Sequence, residues 1–238
     1  MCPPMSDNTS SSASHTTARI GVIMAVALTV LTAVTFILAL TALPNKVPYP
    51  FNQDVIVEQW PGDYLWMPPA MLLMVVFVGV LAALHEQAGP DRRIYSLIAL
   101  GMGIPAATVL VINYYLQFTV MPISLEKDQL DGWALFTQYN PQGIFIALEE
   151  LGYMLMSLVL LAVAPVVTGP GRVAKTLRVL LALQFVVMVL SLMLISALLG
   201  RERGDIFEIT VITLVWVVLL IAGPLLAIWF RRSGARVT

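Results

Sequence analysis

The chain has 238 residues, of which 59% are hydrophobic and 11% are charged, and its formal net charge is −1. A soluble domain carries about 25% charged residues, so a soluble fold of this size would lack the charge to cover its exterior. The balanced charge excludes the basic surface of a nucleic-acid-binding protein, and the single cysteine excludes an intrachain disulfide framework. The composition predicts a membrane protein whose main partner is the lipid bilayer.

The first 18 residues are rich in Ser, Thr, Asn and Pro and lack the apolar content of a folded core. We expect residues 1–18 to form a disordered cytoplasmic tail. Arg19 then precedes an apolar run over residues 20–43. This run is longer than the core of a signal peptide and long enough to cross about 30 Å of hydrocarbon. It predicts a retained first transmembrane helix.

Five further apolar runs follow the first, at residues 66–84, 94–116, 141–167, 179–199 and 206–230. Their length and the absence of strand-like alternation favour helices over a β-barrel. The sequence thus predicts an all-α integral membrane protein, a six-helix bundle over residues 19–232 followed by a short cytoplasmic tail, 233–238. Asn140 and Pro141 suit an N-cap and a first helical position, so we expect the fourth helix to begin there.

The lysines and arginines in the short connections predict the orientation, because they accumulate on the cytoplasmic side of a membrane. Four of the 13 would lie outside, namely Lys46, Lys127, Arg201 and Arg203. The other nine share the opposite side: Arg19, Arg92, Arg93, Arg172, Lys175, Arg178, Arg231, Arg232 and Arg236. Both termini are therefore expected in the cytoplasm, and the expected location is the plasma membrane, the inner membrane of a bacterium.

Two outer connections, residues 44–65 and 117–140, are long, acidic and aromatic. We expect them to fold over the outer face of the bundle, although they could equally be plain connectors. Their aromatic residues have the composition of an interfacial belt: Trp60, Tyr64, Trp66, Trp133 and Tyr139.

The fourth predicted span contains two adjacent acids, Glu149 and Glu150. At about 100° per residue they share one arc of the helix with Gln142, Tyr153 and Ser157, and the opposite arc is apolar. The acids would lie roughly 12 Å below the start of the helix, in the outer half of the membrane. Burying a carboxyl group there costs several kcal/mol, which favours a functional role. A structural role as interhelical hydrogen-bonding groups remains the alternative.

Polar residues of other predicted spans reach the same level. Asn113 and Gln117 share a face of the third span, Ser191 and Ser196 lie in the fifth, and Glu208 opens the sixth. We predict one outward-facing pocket that binds a small-molecule or lipid ligand, with the candidate residues Asn113, Tyr114, Gln117, Gln142, Glu149, Glu150 and Tyr153. No Lys or Arg lies inside a predicted span, so we expect at least one glutamate to be protonated at neutral pH.

The sequence argues against several kinds of chemistry. The only histidines are His15, in the tail, and His85, at the cytoplasmic end of the second span. A histidine-rich metal site, bis-histidine haem and a Ser-His-Asp triad inside the bundle are therefore not expected, and we expect no cofactor. Pro105 and Pro224 interrupt the third and sixth spans, where a static bend is preferred over a moving hinge.

Three functions remain open. Binding or transport of a small molecule or ion, with possible linkage to protons, is the leading hypothesis because of the intramembrane carboxyl groups. An intramembrane enzyme acting on a lipid or isoprenoid, with a glutamate as general acid or base, is the second. A non-catalytic accessory subunit is the third. The sequence specifies no substrate, oligomeric state or protein partner.

Overall fold

The computed structural model describes residues 7–42 and 47–234, with side chains from residue 16 onward. In this part of the chain helix is the only regular secondary structure. The helices are α1 (Asp7–Thr41), α2 (Gln53–Glu58), α3 (Met67–Glu86), α4 (Arg93–Thr119), α5 (Met121–Glu126), α6 (Trp133–Phe136), α7 (Ile144–Val163), α8 (Arg172–Leu199) and α9 (Ile206–Gly234). Short 3₁₀ turns accompany them, among them Gly200–Arg203 between α8 and α9.

Six helices in the described residues are long and apolar enough to cross a membrane: α1, α3, α4, α7, α8 and α9. The prediction of an all-helical chain with six helices of spanning length is confirmed. Helix α1 already includes residues 7–18, which the sequence predicts as tail. Residues 1–6 and 235–238, including Arg236, lie outside the described part, as do residues 43–46 with Lys46.

The six long helices form a ring in which each packs on its neighbours. Helix α1 packs on α3 and α9, α4 packs on α3 and α7, and α8 packs on α7 and α9. Helix α7 also contacts α9 across the ring. As a result α7 is the most enclosed of the six, whereas α8 has the smallest share of buried side chains. The polar arc predicted on the fourth span therefore lies on the helix with the most protein neighbours.

Small residues allow the closest helix contacts. A Cβ atom placed on Gly223 of α9 would lie 2.1 Å from Thr29 Oγ1 and 3.2 Å from the carbonyl oxygen of Ala25, both on α1. A Cβ on Gly152 of α7 would lie 2.5 Å from the Leu110 side chain of α4. Both contacts require glycine because any side chain would force the helices apart.

One end of the bundle is covered by the two long connections, and we call it the loop-covered end. The Tyr139 hydroxyl donates to Asp63 Oδ2 at 3.0 Å, and the Phe51 and Trp133 rings lie 5.9 Å apart. Burial raises the pKa of Tyr139, so its hydroxyl remains a protonated donor at physiological pH. The connections thus pack on one another instead of running as extended links.

Four of the five aromatic residues expected in an interfacial belt are buried inside the protein. Trp60 is 42% exposed. The others are buried because they pack between the connections and the helices: Tyr64, Trp66, Trp133 and Tyr139.

The opposite end carries most of the described lysines and arginines, and we call it the basic end. Arg92, after α3, donates to the carbonyl oxygen of Pro165, after α7. The Trp229 indole of α9 donates to the Thr168 carbonyl oxygen at 2.8 Å. Gly21, near the start of the described α1 side chains, lies against Phe230 of α9. At the basic end, the first part of α1 therefore packs against the last part of α9.

The predicted start of the fourth helix is displaced. Helix α7 begins at Ile144 with Gly143 as its N-cap, three residues after the expected start. Asn140 instead organises the preceding turn, because its Oδ1 accepts from the Gln142 amide at 3.0 Å and its Nδ2 donates to the Ala134 carbonyl oxygen at 2.7 Å. The prediction that Asn140 caps the fourth helix is therefore wrong, because its side chain stabilises the turn that precedes the helix.

Candidate functional site

Helix α7 presents a row of polar side chains to the interior of the bundle. Glu149, Tyr153 and Ser157 are four residues apart and therefore lie on one face. All three are buried, Glu149 at 1% exposure and the other two at 0%. Glu150 lies on the neighbouring flank, which faces the turn between α8 and α9. The structure thus separates the two adjacent acids into two different surroundings.

Glu149 lies beside a second carboxyl group. Glu208 of α9 is 7% exposed, and its carboxyl group interacts directly with that of Glu149. The Tyr114 hydroxyl of α4 also interacts with Glu149. Within the described residues, Glu149 Oε1 has no hydrogen-bond partner. Two carboxyl groups in contact in a low-dielectric interior repel when both are ionised, so such a pair retains a proton.

Hydroxyl and indole groups continue from the acid pair. The Trp216 indole donates to the Tyr153 hydroxyl oxygen at 3.0 Å, and that oxygen lies 3.0 Å from the Tyr114 hydroxyl. The Tyr153 hydroxyl can then donate its hydrogen to Tyr114, and the Tyr114 hydroxyl can donate to Glu149. In this arrangement each hydroxyl accepts one hydrogen bond and donates one. We name this set of residues the acid–tyrosine cluster: Tyr114, Glu149, Tyr153, Glu208 and Trp216.

The polar row extends one step further toward the basic end. The Ser157 hydroxyl donates to the Tyr153 carbonyl oxygen at 2.8 Å, and Gln184 Nε2 of α8 donates to Ser157 Oγ at 2.8 Å. Gln184 is 3% exposed, and its Oε1 lacks a partner among the described residues. Gln184 therefore lies further from the loop-covered end than the acids do.

Beyond Gln184 lies a small cavity of about 10 Å³ that is lined entirely by apolar side chains, among them Leu28, Leu160, Leu181 and Leu226. This lining offers neither a polar group nor room for a solute that could continue the row. The polar groups therefore belong to the half of the bundle next to the loop-covered end.

Glu150, by contrast, forms an ion pair. Arg203, from the turn between α8 and α9, donates from Nη2 to Glu150 Oε2 at 2.6 Å. The Arg203 guanidinium also lies 5.4 Å from the centre of the Phe207 ring. The expectation that no basic residue neutralises either glutamate is therefore wrong for Glu150, because Arg203 reaches into the helix region from the turn.

Glu150 and Arg203 line an open cleft of about 160 Å³ between the start of α7 and the α8–α9 turn. Gln142 and Arg201 lie on its wall. Gln142 is exposed there, away from the acid–tyrosine cluster.

Two predicted pocket residues have structural partners. Asn113 Nδ2 donates to the Phe145 carbonyl oxygen at 3.0 Å. Gln117 Oε1 accepts from the Gln138 amide at 3.1 Å, and its Nε2 donates to the Phe136 carbonyl oxygen. Both side chains hold α4 to the start of α7 and to the loop before it. Their hydrogen-bonding groups are occupied by backbone, so they suit packing better than ligand binding.

The candidate residues thus divide into three sets. Glu149, Tyr114 and Tyr153 come together in the cluster, Glu150 and Gln142 line the cleft, and Asn113 and Gln117 act as interhelical links. Ser191 is half-buried and Ser196 is exposed, so neither serine is buried beside the cluster.

Sequence reasoning placed Glu208 near the pocket level but omitted it and Trp216 from the candidate set. At about 100° per residue, their separation of eight residues sets them about 80° apart on α9, so the helical period gave only a weak signal that joins them. Arg203 was missed because contact between a turn and another helix depends on tertiary packing. Within the described residues, no group of three or more His, Cys, Asp or Glu side chains could hold a metal ion.

Comparison with protein-family models, with curated proteins and with solved structures finds no match to this chain.

Proposed function

We propose that the protein is a multi-pass plasma-membrane protein with its loop-covered end outside and both termini in the cytoplasm. The six apolar helices support insertion, since each is long enough to cross the hydrocarbon core. The basic end supports the orientation, because positive residues near the ends of spans are retained in the cytoplasm. The acid–tyrosine cluster then lies in the outer half of the bilayer.

We further propose that the protein binds a proton or a small monovalent cation at Glu149 and Glu208, as part of proton-linked transport of an ion or small solute. The contact between these two buried carboxyl groups, contributed by different helices, carries the proposal. Buried carboxyl groups in membrane proteins are costly and mark proton and ion pathways. The two carboxyl groups can share one proton. When that proton leaves, they present a negative charge that a cation can bind.

The neighbouring groups suit this role. The hydroxyls of Tyr114 and Tyr153 can donate to a carboxylate, or present their oxygen atoms to a cation that has replaced the proton. Ser157 and Gln184 extend the polar row toward the basic end. The apolar residues beyond Gln184 close the path, so transport requires a second conformation. Helix α9 would take part in that change, because it carries both Glu208 and part of the apolar lining that closes the path.

The test uses purified protein in liposomes that contain a pH-sensitive dye. A potassium gradient with valinomycin sets an inside-negative potential, and proton entry is recorded with and without external sodium. We expect the wild type to acidify the lumen, and Glu149→Gln and Glu208→Gln to reduce the initial rate at least about tenfold. The matched control is Glu126→Gln, an exposed acid on α5, which should leave the rate unchanged.

Circular dichroism and thermal unfolding in detergent accompany each variant. If the wild type does not acidify the lumen either with or without external sodium, or if both Gln variants retain the fold and the wild-type rate, the proposal is wrong. Loss of helical content in both variants, with an inactive wild type, would instead assign the acids a structural role.

A further inference from the structure

The cleft at the loop-covered end is a second polar site, separate from the acid–tyrosine cluster. It lies between the first turn of α7 and the turn at Gly200–Arg203, with a volume of about 160 Å³. Its charged and polar lining comes from Gln142, Glu150, Arg201 and Arg203. The cleft therefore offers two guanidinium groups and one carboxyl group within a small space.

The ion pair inside the cleft has a fixed geometry. Glu150 is 9% exposed and holds Arg203 by one nitrogen at 2.6 Å, and the Phe207 ring supports the same guanidinium. Arg201 is exposed on the cleft wall and takes no part in this ion pair. The carboxyl group of Glu150 keeps acceptor capacity on its second oxygen. A ligand with both a negative and a positive group would complement this arrangement.

Exposed apolar side chains lie on the helices on either side of the α8–α9 turn. On α8, Leu198 is 73% exposed and Leu194 is 60% exposed, and on α9 Ile206 is 45% exposed and Ile209 is 48% exposed. These residues flank the same turn that supplies the two arginines. An acyl chain can lie against them while a polar group occupies the cleft, as expected for a phospholipid at the level of the headgroups.

We propose that the cleft binds a phosphate ester that carries a primary ammonium group, with the phosphate on Arg201 and Arg203 and the ammonium on Glu150. This chemistry occurs in an aminophospholipid headgroup and in a soluble amino-alcohol phosphate. The adjoining exposed apolar residues favour the lipid. The site is spatially distinct from the proposed proton pathway, because neither Glu149 nor Glu208 lines the cleft.

The test measures lipid retention by the full-length protein. Protein in nanodiscs of equimolar phosphatidylethanolamine, phosphatidylcholine and phosphatidylglycerol is extracted into mild detergent, and the bound lipid is quantified by mass spectrometry. We expect about tenfold enrichment of phosphatidylethanolamine over phosphatidylcholine, whose trimethylated nitrogen cannot donate a hydrogen bond to Glu150. Phosphatidylglycerol, which lacks the ammonium group, should be enriched less.

The variants separate the two halves of the headgroup. Glu150→Gln should abolish the preference for phosphatidylethanolamine over phosphatidylcholine while phosphate-dependent retention persists. Arg201→Ala should reduce retention of all three lipids, and it leaves the Glu150–Arg203 ion pair in place. Lys127→Ala, an exposed cation on the same end but outside the cleft, is the matched control.

A competition experiment distinguishes the two ligand sources. Soluble O-phosphoethanolamine should displace the lipid only weakly if the apolar surface contributes, whereas full displacement would assign the site to a soluble ligand. Equal retention of the three lipids by the wild type, or an unchanged preference in Glu150→Gln, would overturn the proposal. Glu149→Gln should keep the lipid preference, so failure of the proton-linked function would not be mistaken for failure here.

Discussion

At the scale of single residues, adjacent positions on one helix have different surroundings. Glu149 meets another carboxyl group and a tyrosine hydroxyl, whereas Glu150 meets a guanidinium from a turn. The angle of about 100° between neighbouring helical residues is enough to separate them. Tyr153 links Trp216 to Tyr114, the tyrosine that contacts Glu149, since its hydroxyl oxygen contacts both residues.

Tyr153→Phe tests this connecting role. The change leaves the Trp216 indole N–H without its acceptor and removes the partner of the Tyr114 hydroxyl in a fully buried place. We expect a loss of about 1–3 kcal/mol of stability, the cost of a buried unsatisfied donor. Thermal unfolding in detergent, followed by tryptophan fluorescence, measures it. Tyr115→Phe is the control because Tyr115 is 57% exposed, and equal shifts in the two variants would contradict the expectation.

At the scale of helices, close contact between α1 and α9 determines where the acid–tyrosine cluster sits. Phe36 of α1 lies 5.5 Å from Trp216 of α9, ring centre to ring centre, and Gly223 of α9 packs directly against Thr29 of α1. The same helix α9 carries Glu208, so its distance from its neighbours controls the position of the second carboxyl group.

Gly223→Ala should therefore destabilise the protein, although alanine is the better helix former by about 0.5–1 kcal/mol. The new methyl group would meet Thr29 Oγ1 and the Ala25 carbonyl oxygen, so α1 and α9 must separate. Gly101→Ala is the matched control, because a Cβ atom there meets nothing within 4 Å. A lower midpoint of thermal unfolding for the Gly223 variant, and an unchanged or higher midpoint for the Gly101 variant, is the expected result. Equal behaviour would show that the helices adjust without cost.

At the scale of the whole molecule, charge and polarity are distributed unevenly along the bundle axis. The acid–tyrosine cluster and the cleft lie toward the loop-covered end, while the small cavity beyond Gln184 is lined by apolar side chains. If the loop-covered end is outside, both polar sites face the outer leaflet.

Cysteine accessibility tests that orientation. Cys2 is the single cysteine, so Cys2→Ser provides a cysteine-free background. In that background we expect Lys127→Cys to react with a membrane-impermeant maleimide on intact spheroplasts, and Lys175→Cys to react only after permeabilisation. Both lysines are exposed and lie at opposite ends of the bundle. The reverse pattern would invert the proposed topology.

Much of the helical architecture could be predicted from the sequence, because hydrophobic length is a local property. A run of about 20 apolar residues specifies a long helix whatever its neighbours are. The four-residue spacing of Glu149, Tyr153 and Ser157 likewise specified a shared face. These inferences needed only the helical period and the composition of each segment.

Tertiary structure alone decided which partners the polar residues meet. The contacts of Glu149 with Glu208 and of Glu150 with Arg203 join residues more than 50 positions apart. Such contacts depend on the order and rotation of the helices in the ring, and therefore on packing between residues such as Gly223 and Thr29. Asn113 and Gln117 could likewise have faced a ligand or the backbone, and only their neighbours at the start of α7 determined which. The physical reason is that helix formation depends on nearby residues, whereas the surroundings of a buried polar group depend on which distant segments pack against it.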